Sequence, residues 1–486
     1  MNVFVLYFVG PSRRGTWSGK FLGVYSSQRE AALAVERLQL RSEFNYYPKG
    51  FQIDCVEVDR DRDVSENFGP VPPDLLPPPW HTACVKVDRY AQTDRVPDYD
   101  FLSPQKIVFG WGRRRELGGL ARALGRRAFL VSGLPDRVGL PITVELEGLL
   151  RGENIEVLRV ATLLNEPEVA DVDRTAASIR ALHVGEGDFF VGLGGGAAID
   201  LAKAVAAMAT NDQSLTVKDY LENVGRDLKL VNAPLPVLAM PTTAGTGAEA
   251  TKNAVISSFD PPFKKSIRDG RLMPRIAIVD PELTVSVPPE VTAASGMDAI
   301  TQLIESYISR KARPIPQALA LQGLRLAMPA LGDAVENPTS RAAREAMSHA
   351  ALLSGMALAN SGLGMAHGVA AALGIHCRVP HGVACALMLP VALRVNRDVC
   401  EAELTRLCHL VFGLPIPPTA GEAAALFIEK IESLCDRVKT PRRLSQIGVR
   451  RDQILDIVKS SRGSSMSGNP RELSDEELTT ILEEIF

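Results

Sequence analysis

From residue 106 to residue 280 short β-rich runs alternate with helical stretches, and after about residue 289 the β-rich runs stop. No other feature limits the fold as tightly. The β-rich runs fall at 106–109, 127–132, 155–161, 188–192, 235–240 and 276–280, with helical spacing at 117–124, 144–150 and 172–182. Strand and helix recurring in units of about 25–30 residues specify a parallel sheet with helices on both faces. Beyond the break, 291–308, 316–328, 341–356 and 422–437 read as helices, rich in Ala and Leu with Gly and Pro at the interruptions. The segment 473–478 reads as a capped last helix with Ser474 as its N-cap. The expected architecture is a doubly wound α/β domain over 99–288 followed by an all-α domain over 289–486. Ahead of them, 1–66 reads as a small α+β appendage. It is β-rich at 3–9, 21–25 and 51–58, with a helix over 28–40 whose apolar face carries Ala32, Val35 and Leu38. Six prolines within 70–79 exclude helix and central strand there, so 67–98 reads as an extended linker.

At 486 residues the chain is long enough for roughly three domains. Its 46% hydrophobic and 23% charged residues exclude wholesale disorder. Lys and Arg number 54 and Asp and Glu 57, so the net charge of −3 makes no electrostatic case for nucleic acid or a membrane surface. The seven cysteines are scattered without a CxxC pair and read as reduced thiols. The N-terminal run has no positive leader and no apolar stretch reaches the ~20 residues of a membrane helix, so the expected location is the cytoplasm.

Three segments carry chemistry. GLGGGAAIDLAK, 192–203, follows an apolar strand and opens a helix; its glycines let backbone N–H groups approach a ligand, and a helix N-terminus favours a phosphate. PTTAGTGAEAT, 241–251, crowds hydroxyls and glycines at the end of the next apolar run, a surface suited to a diphosphate or a ribose. Three of the seven histidines, His367, His376 and His381, fall within fifteen residues, and His367 and His381 are each followed by Gly, which leaves room beside an imidazole. Asp298 and Gln302 stand one helical turn apart and put a carboxylate and a second polar group on one face. Asp with two His makes a plausible site for a divalent transition metal acting as a Lewis acid. Taken singly, each segment also has a bland reading: a tight strand–helix turn, a polar loop capping a helix, structural histidines.

Together the segments GGGAAIDLAK, PTTAGTGAEAT, VDPELT, GMDAITQLIE, GLGMAHGVAAALG, PHGVACALMLP and the late GNPR resemble the iron-containing, group III alcohol dehydrogenases, from about residue 101 to residue 486. That family has the dehydroquinate synthase-like fold. The resemblance implies a Rossmann-like dinucleotide domain, an all-α C-terminal domain, NAD(P) in the cleft between them and Fe2+ or Zn2+ on the helical side. Carried over, Gly194, Gly195, Gly196 and Ala197 hold the pyrophosphate, with Asp200 counted in the same site. Thr242, Thr243 and Thr246 line the cofactor, Lys264 reaches the ribose and Leu283 packs near the nicotinamide. The metal ligands are Asp298, Gln302, His367 and His381.

Four positions depart from the family pattern. Ala197 replaces a Ser, Gln302 replaces a His ligand, and Ala371 replaces a His assigned to proton transfer. That leaves water, the cofactor ribose or His376 to move the proton. Gly133 stands where NAD-preferring members carry an Asp, which makes room for a 2′-phosphate and leans the choice toward NADP, with Arg137 as a candidate cation. The implied activity is hydride transfer between NAD(P)H and a small aldehyde or alcohol, with Asp298, His367 and His381 at the reacting centre. The alternatives are a lyase or cyclase of the dehydroquinate synthase type and a catalytically impaired regulatory homologue. The expected partners are a small alcohol or aldehyde and a second copy of the chain in a homodimer.

Overall fold

The computed structural model describes residues 98–413 and 419–486, except the side chains of 136–138. It also describes the backbone of three N-terminal strands and helical residues 29, 31, 32, 34 and 35. The chain divides into two compact units, Met1–Val96 and Pro97–Phe486. In the first, β1 (Asn2–Pro11), β2 (Trp17–Tyr25) and β3 (Phe51–Glu57) form an antiparallel sheet in the order β2-β1-β3. The residues described within 28–40 are helical, but Ala31 and Ala34 are the buried ones and Ala32 is exposed. Five consecutive small or apolar residues, 31–35, satisfy more than one helical phase, so the pattern could not choose the face. The Pro-rich run 70–79 lies outside the described residues.

In the second unit the expected alternation is present. β4 (Lys106–Phe109), α1 (Leu117–Ala121), β5 (Arg127–Ser132), α2 (Asp136–Gly152), β6 (Glu156–Thr162), α3 (Val169–Arg180), β7 (Asp188–Gly194), α4 (Gly196–Met208) and β8 (Val237–Pro241) follow in turn. After the hairpin β9 (Asn253–Phe259) and β10 (Pro262–Arg268), β11 (Ile276–Val279) enters the sheet between β4 and β8. The six strands are parallel, in the order β4-β11-β8-β7-β5-β6. The chain leaves β5 outward to β6 and then returns to β7 and β8 on the other side. The order therefore reverses between β5 and β7, and their carboxyl ends mark the place where such sheets bind ligands.

Period-two alternation sets the two layers. Ala128, Leu130, Phe189 and Val191 enter one apolar core, and Phe129, Val131 and Phe190 enter the other, on the opposite face. Every residue of β7 is buried, as a parallel strand covered on both sides must be.

From residue 289 onward the unit is helical: α5 (Pro289–Ile308), α6 (Pro314–Glu336), α7 (Arg341–Ala359), α8 (Met365–Cys377), α9 (His381–Asn396), α10 (Glu401–Phe412), α11 (Ala420–Arg437), α12 (Ile454–Ser460) and α13 (Asp475–Glu484). The helix expected over 316–328 runs on through Pro329 to Glu336. Packing of Leu331 and Ala334 into the helical core holds the turn beyond the proline, overriding its propensity to end the helix. Ser474 caps α13 as expected, accepting from Glu477 N at 3.1 Å. Among the described residues no helix is long and apolar enough to cross a membrane.

The start of the central strands is set by an ion pair. Arg127 opens β5 opposite Asp188 of β7; its Nε donates to Oδ1 at 2.7 Å and its Nη2 to Oδ2 at 2.6 Å. Burial works against the Asp188 charge, but Arg127 and the Gly185 N–H outweigh it and hold the carboxyl below its usual range. A depressed folded value stabilises the fold above the unfolded pKa of about 4, and the contribution is lost as pH falls through the folded value. Asp188→Asn should therefore cost about 2 kcal/mol near neutrality. In urea titrations the gap between variant and parent should close below about pH 4; an equal gap at every pH would show that the charge plays no part.

Candidate metal and dinucleotide site

The helical side of the site is built on one face of α5. Asp298, Gln302 and Glu305 stand at i, i+4 and i+7, and all three are buried. Glu305 accepts from the N–H of Ala366 at 2.7 Å and so anchors the first turn of α8. Its other oxygen accepts from His367 Nδ1 at 2.7 Å. That hydrogen bond places the second ring nitrogen, Nε2, 3.2 Å from Asp298 Oδ1. His381, the first residue of α9, brings its Nε2 to 3.8 Å from the same oxygen. Asp298 and His367 are 3% and 5% exposed at the side chain while His381 is 26% exposed, so the cluster opens past His381.

This arrangement has the character of a cation site. With Nδ1 donating to Glu305, the free lone pair of His367 points at a carboxylate, a clash that a proton or a metal ion must relieve. Burial opposes charge on His367, but Cys385, Asp298 and Glu305 overcome it and raise the imidazole well above its ordinary value. Burial also opposes the Asp298 charge, yet His381, His367 and the Gln302 amide bring that carboxyl down to about 2. For His381, burial, Lys264 and His367 outweigh the opposing pull of Asp298 and Glu166 and push it down to about 4, which leaves the imidazole neutral near pH 7. Its buried Nδ1 has no hydrogen-bond partner. One carboxylate oxygen and two imidazole nitrogens at these separations fit an ion held at about 2.0–2.2 Å from each.

Of the four expected ligands, Asp298, His367 and His381 converge. Gln302 adjoins them, but its Nε2 donates to Asp298 Oδ1 at 3.4 Å while its carbonyl faces the Ser354 hydroxyl at 3.4 Å. The group whose ligand atoms lie within 4.8 Å of one another is Asp298, His367, His381 and Cys385. Cys385 and Glu305 were both missed by the sequence reading. The available signals were helical spacing, Cys385 four residues after His381 and Glu305 seven after Asp298. The glycines after the two histidines do not serve the imidazoles. A Cβ at 382 would lie 2.4 Å from the Ala294 carbonyl of α5, and one at 368 would lie 3.1 Å from the Ser461 carbonyl, so both let helices pack closely. His376 stands apart from the converging atoms, with its Nε2 2.7 Å from the Ser460 hydroxyl of α12.

On the sheet side, the glycine turn sits where the strand order reverses. Gly133 N donates to Leu193 O at 2.7 Å, and a Cβ on Gly194, whose φ is +149°, would lie 2.9 Å from Gly133 Cα. The threonine loop is laid across this turn. Thr242 N donates to Gly194 O at 2.9 Å, and a Cβ on Gly196 would lie 2.5 Å from Thr246 Oγ1. Gly195, Gly196, Ala197, Thr243 and Thr246 remain partly exposed, and α4 has no side-chain cap on its first N–H groups. Free amides at a helix N-terminus beside hydroxyls are donors that suit a phosphate.

The other residues expected at the cofactor have internal partners. Asp200 accepts from Val255 N at 3.0 Å and lies 2.9 Å from Lys203 Nζ. Lys203 in turn donates to Ala248 O and Thr251 Oγ1, both at 3.0 Å, so this pair secures β9 and the threonine loop on α4. Lys264 is paired with Glu166, whose carboxyl it holds down against the effect of burial. Leu283 is buried in the core that contains Val108 and Ile278. At Gly133 a Cβ would meet Ala198 Cβ at 2.8 Å, so contact with α4 keeps a side chain out of that place. The side chain of Arg137 lies outside the described residues.

The two halves of the site touch. A Cβ on Gly247, whose φ is +61°, would lie 2.5 Å from Gly355 Cα of α7, and one on Gly245 would lie 2.8 Å from Ser295 Cβ of α5. The loop beside the glycine turn thus rests on the helices that carry Asp298 and Ser354.

Comparison with known proteins shows the family. Residues 104–281 match the family described as iron-containing alcohol dehydrogenase, and 292–486 match its C-terminal family. The chain is 32% identical over 393 residues to long-chain-alcohol dehydrogenase 1 of Geobacillus thermodenitrificans, covering 79% of this chain and 98% of that protein. It is 30% identical over 393 residues to the 1,3-propanediol dehydrogenase of Klebsiella pneumoniae, covering 80% and 98%. Among solved structures, a 1,3-propanediol oxidoreductase superposes with a TM-score of 0.73 at 30% identity, covering 80% of this chain and all of that one.

If Glu305 orients His367, Glu305→Gln should weaken divalent-metal binding about tenfold or more, measured by competition with a chelator. Unchanged affinity would reduce Glu305 to a cap on α8.

Proposed function

The chain belongs to the iron-containing alcohol dehydrogenase family and is an NAD(P)-linked oxidoreductase acting on CH–OH groups, and from this premise we propose how its residues divide the work on a small alcohol or aldehyde. The family implies a nicotinamide cofactor and a divalent metal. We assign 99–288 to holding the dinucleotide and 289–486 to carrying the ion and the substrate pocket. The observation that supports this most directly is the contact of the threonine loop with α5 and α7, which joins the phosphate cradle to the acid–imidazole cluster.

Gly194, Gly195, Gly196 and Ala197 would receive the pyrophosphate on the first N–H groups of α4, with Thr242, Thr243 and Thr246 beside it. Asp298, His367 and His381 would hold Fe2+ or Zn2+, which supplies Lewis acidity to stabilise negative charge on a carbonyl oxygen. The protein's own part is to keep Asp298 anionic, to fix the tautomer of His367 through Glu305 and to shield both by burial, leaving the His381 side as the one that opens to solvent. Ala371 offers no proton donor, and His376 is held by Ser460, so a cofactor hydroxyl or water entering past His381 delivers the proton to the product alcohol.

His367→Ala should lower kcat/KM for aldehyde reduction by at least about a hundredfold, ~3 kcal/mol, while dinucleotide affinity stays nearly unchanged. Full activity of that variant would overturn the assignment, as would wild-type protein reloaded with Fe2+ or Zn2+ that oxidises no NAD(P)H across a broad aldehyde panel. For the cofactor, the absence of a carboxylate at Gly133 supports NADP. NADPH should bind at least as tightly as NADH in fluorescence titrations; a clear preference for NADH would overturn this choice.

A further inference from the structure

The resemblance leaves this chain one imidazole short at the ion, because Gln302 occupies a histidine position. The tertiary structure brings another donor atom close to the cluster from a different helix. Cys385 lies one turn after His381 on α9, fully buried, with its Sγ 3.7 Å from His381 Nε2. That nitrogen is the one that faces Asp298. Among the described residues, Asp298, His367, His381 and Cys385 are the single group of His, Cys, Asp and Glu whose ligand atoms close in this way. Gln302 meanwhile presents its amide nitrogen to Asp298 and its carbonyl to Ser354. That orientation suits a neighbour bearing negative charge, which accepts from N–H and repels a carbonyl oxygen.

We propose that Cys385 is the fourth protein ligand of the divalent ion and that Gln302 is a positioning residue for Asp298. The inference rests on the metal-dependent reading above and deepens it by naming the donor set: one carboxylate oxygen, two imidazole nitrogens and one thiolate sulfur. Two consequences follow from the chemistry of that set. A thiolate is a softer ligand than an imidazole or an amide carbonyl, which shifts the preference from Fe2+ toward Zn2+. Two anionic ligands also neutralise the ion where Asp298 alone would leave it cationic, which moderates its Lewis acidity. A buried cysteine more often fills space as a small apolar group, and Cys385 does adjoin the core of Leu373 and Met388. The position of its sulfur beside His381 separates the two roles.

The test uses the full chain, stripped of metal with a chelator and reloaded with Co2+. Wild-type protein should show the intense near-ultraviolet absorption of thiolate-to-cobalt charge transfer, and Cys385→Ser should lose it. Chelator competition with Zn2+ should show at least about a tenfold loss of affinity for Cys385→Ser. Gln302→Ala should keep the charge-transfer band and lose less affinity. Co2+ bound to wild-type protein without that band would overturn the ligand assignment and leave the dehydrogenase reading standing; this result needs no variant to fold. A band that persists in Cys385→Ser would overturn it as well. Failure of the wild-type chain to bind either ion would overturn both.

Discussion

Two glycines in contact hold the working parts of this protein in register. Gly247, in the middle of the threonine loop, meets Gly355 of α7 so closely that a Cβ on the latter would lie 2.1 Å from the Gly247 carbonyl. Backbone can approach backbone in this way only where neither residue has a side chain. The same loop is fastened to the sheet side by Thr242 N on Gly194 O, and Lys203 of α4 holds its far end. The glycine turn and the acid–imidazole cluster are therefore connected through a few short contacts, and a shift in this loop would disturb both.

Charge is organised around one oxygen. Asp298 Oδ1 is approached by His367, His381 and the Gln302 amide, and Glu305 stands behind His367. Two buried carboxylates in one polar pocket are costly without compensating positive charge. Part of the compensation comes from the N–H groups that open α8, which Glu305 accepts. A bound cation would complete it. The site is thus prepared by the fold, with its acceptors already desolvated and oriented.

The family motifs contain more scaffolding than their letters suggest. Asp200 and Lys203 of the glycine segment form an internal pair that secures β9 and the loop before it. Gly368 and Gly382 let α8 and α9 pack against neighbouring backbone. Leu283 fills the core beneath β4 and β11. These positions fix the glycine turn, the threonine loop and the two histidine-bearing helices in place through packing and internal pairing.

The alternation of strand and helix, the break near 289 and the glycine turn were legible in the sequence because they follow from local periodicity and backbone freedom. Asp298, His367 and His381 were legible because their flanking motifs match a known family. The phase of the helix over 28–40 was not, since small apolar residues satisfied several faces. Nor was the course of α6 through Pro329, which packing of its last turns decides. Nor was the hairpin β9–β10, since β10 is largely polar, the apolar run of β9 is only three residues long, and the two strands pair with each other outside the central sheet. The sequence by itself determined the two-part architecture and three members of the cluster. Only tertiary structure decided that the sulfur of Cys385 joins them, that Gln302 turns its amide to Asp298, that Glu305 braces His367 and that Lys264 is paired with Glu166. The physical reason is that those facts depend on how separate helices and strands dock, and side-chain distances between distant segments are not written in local pattern.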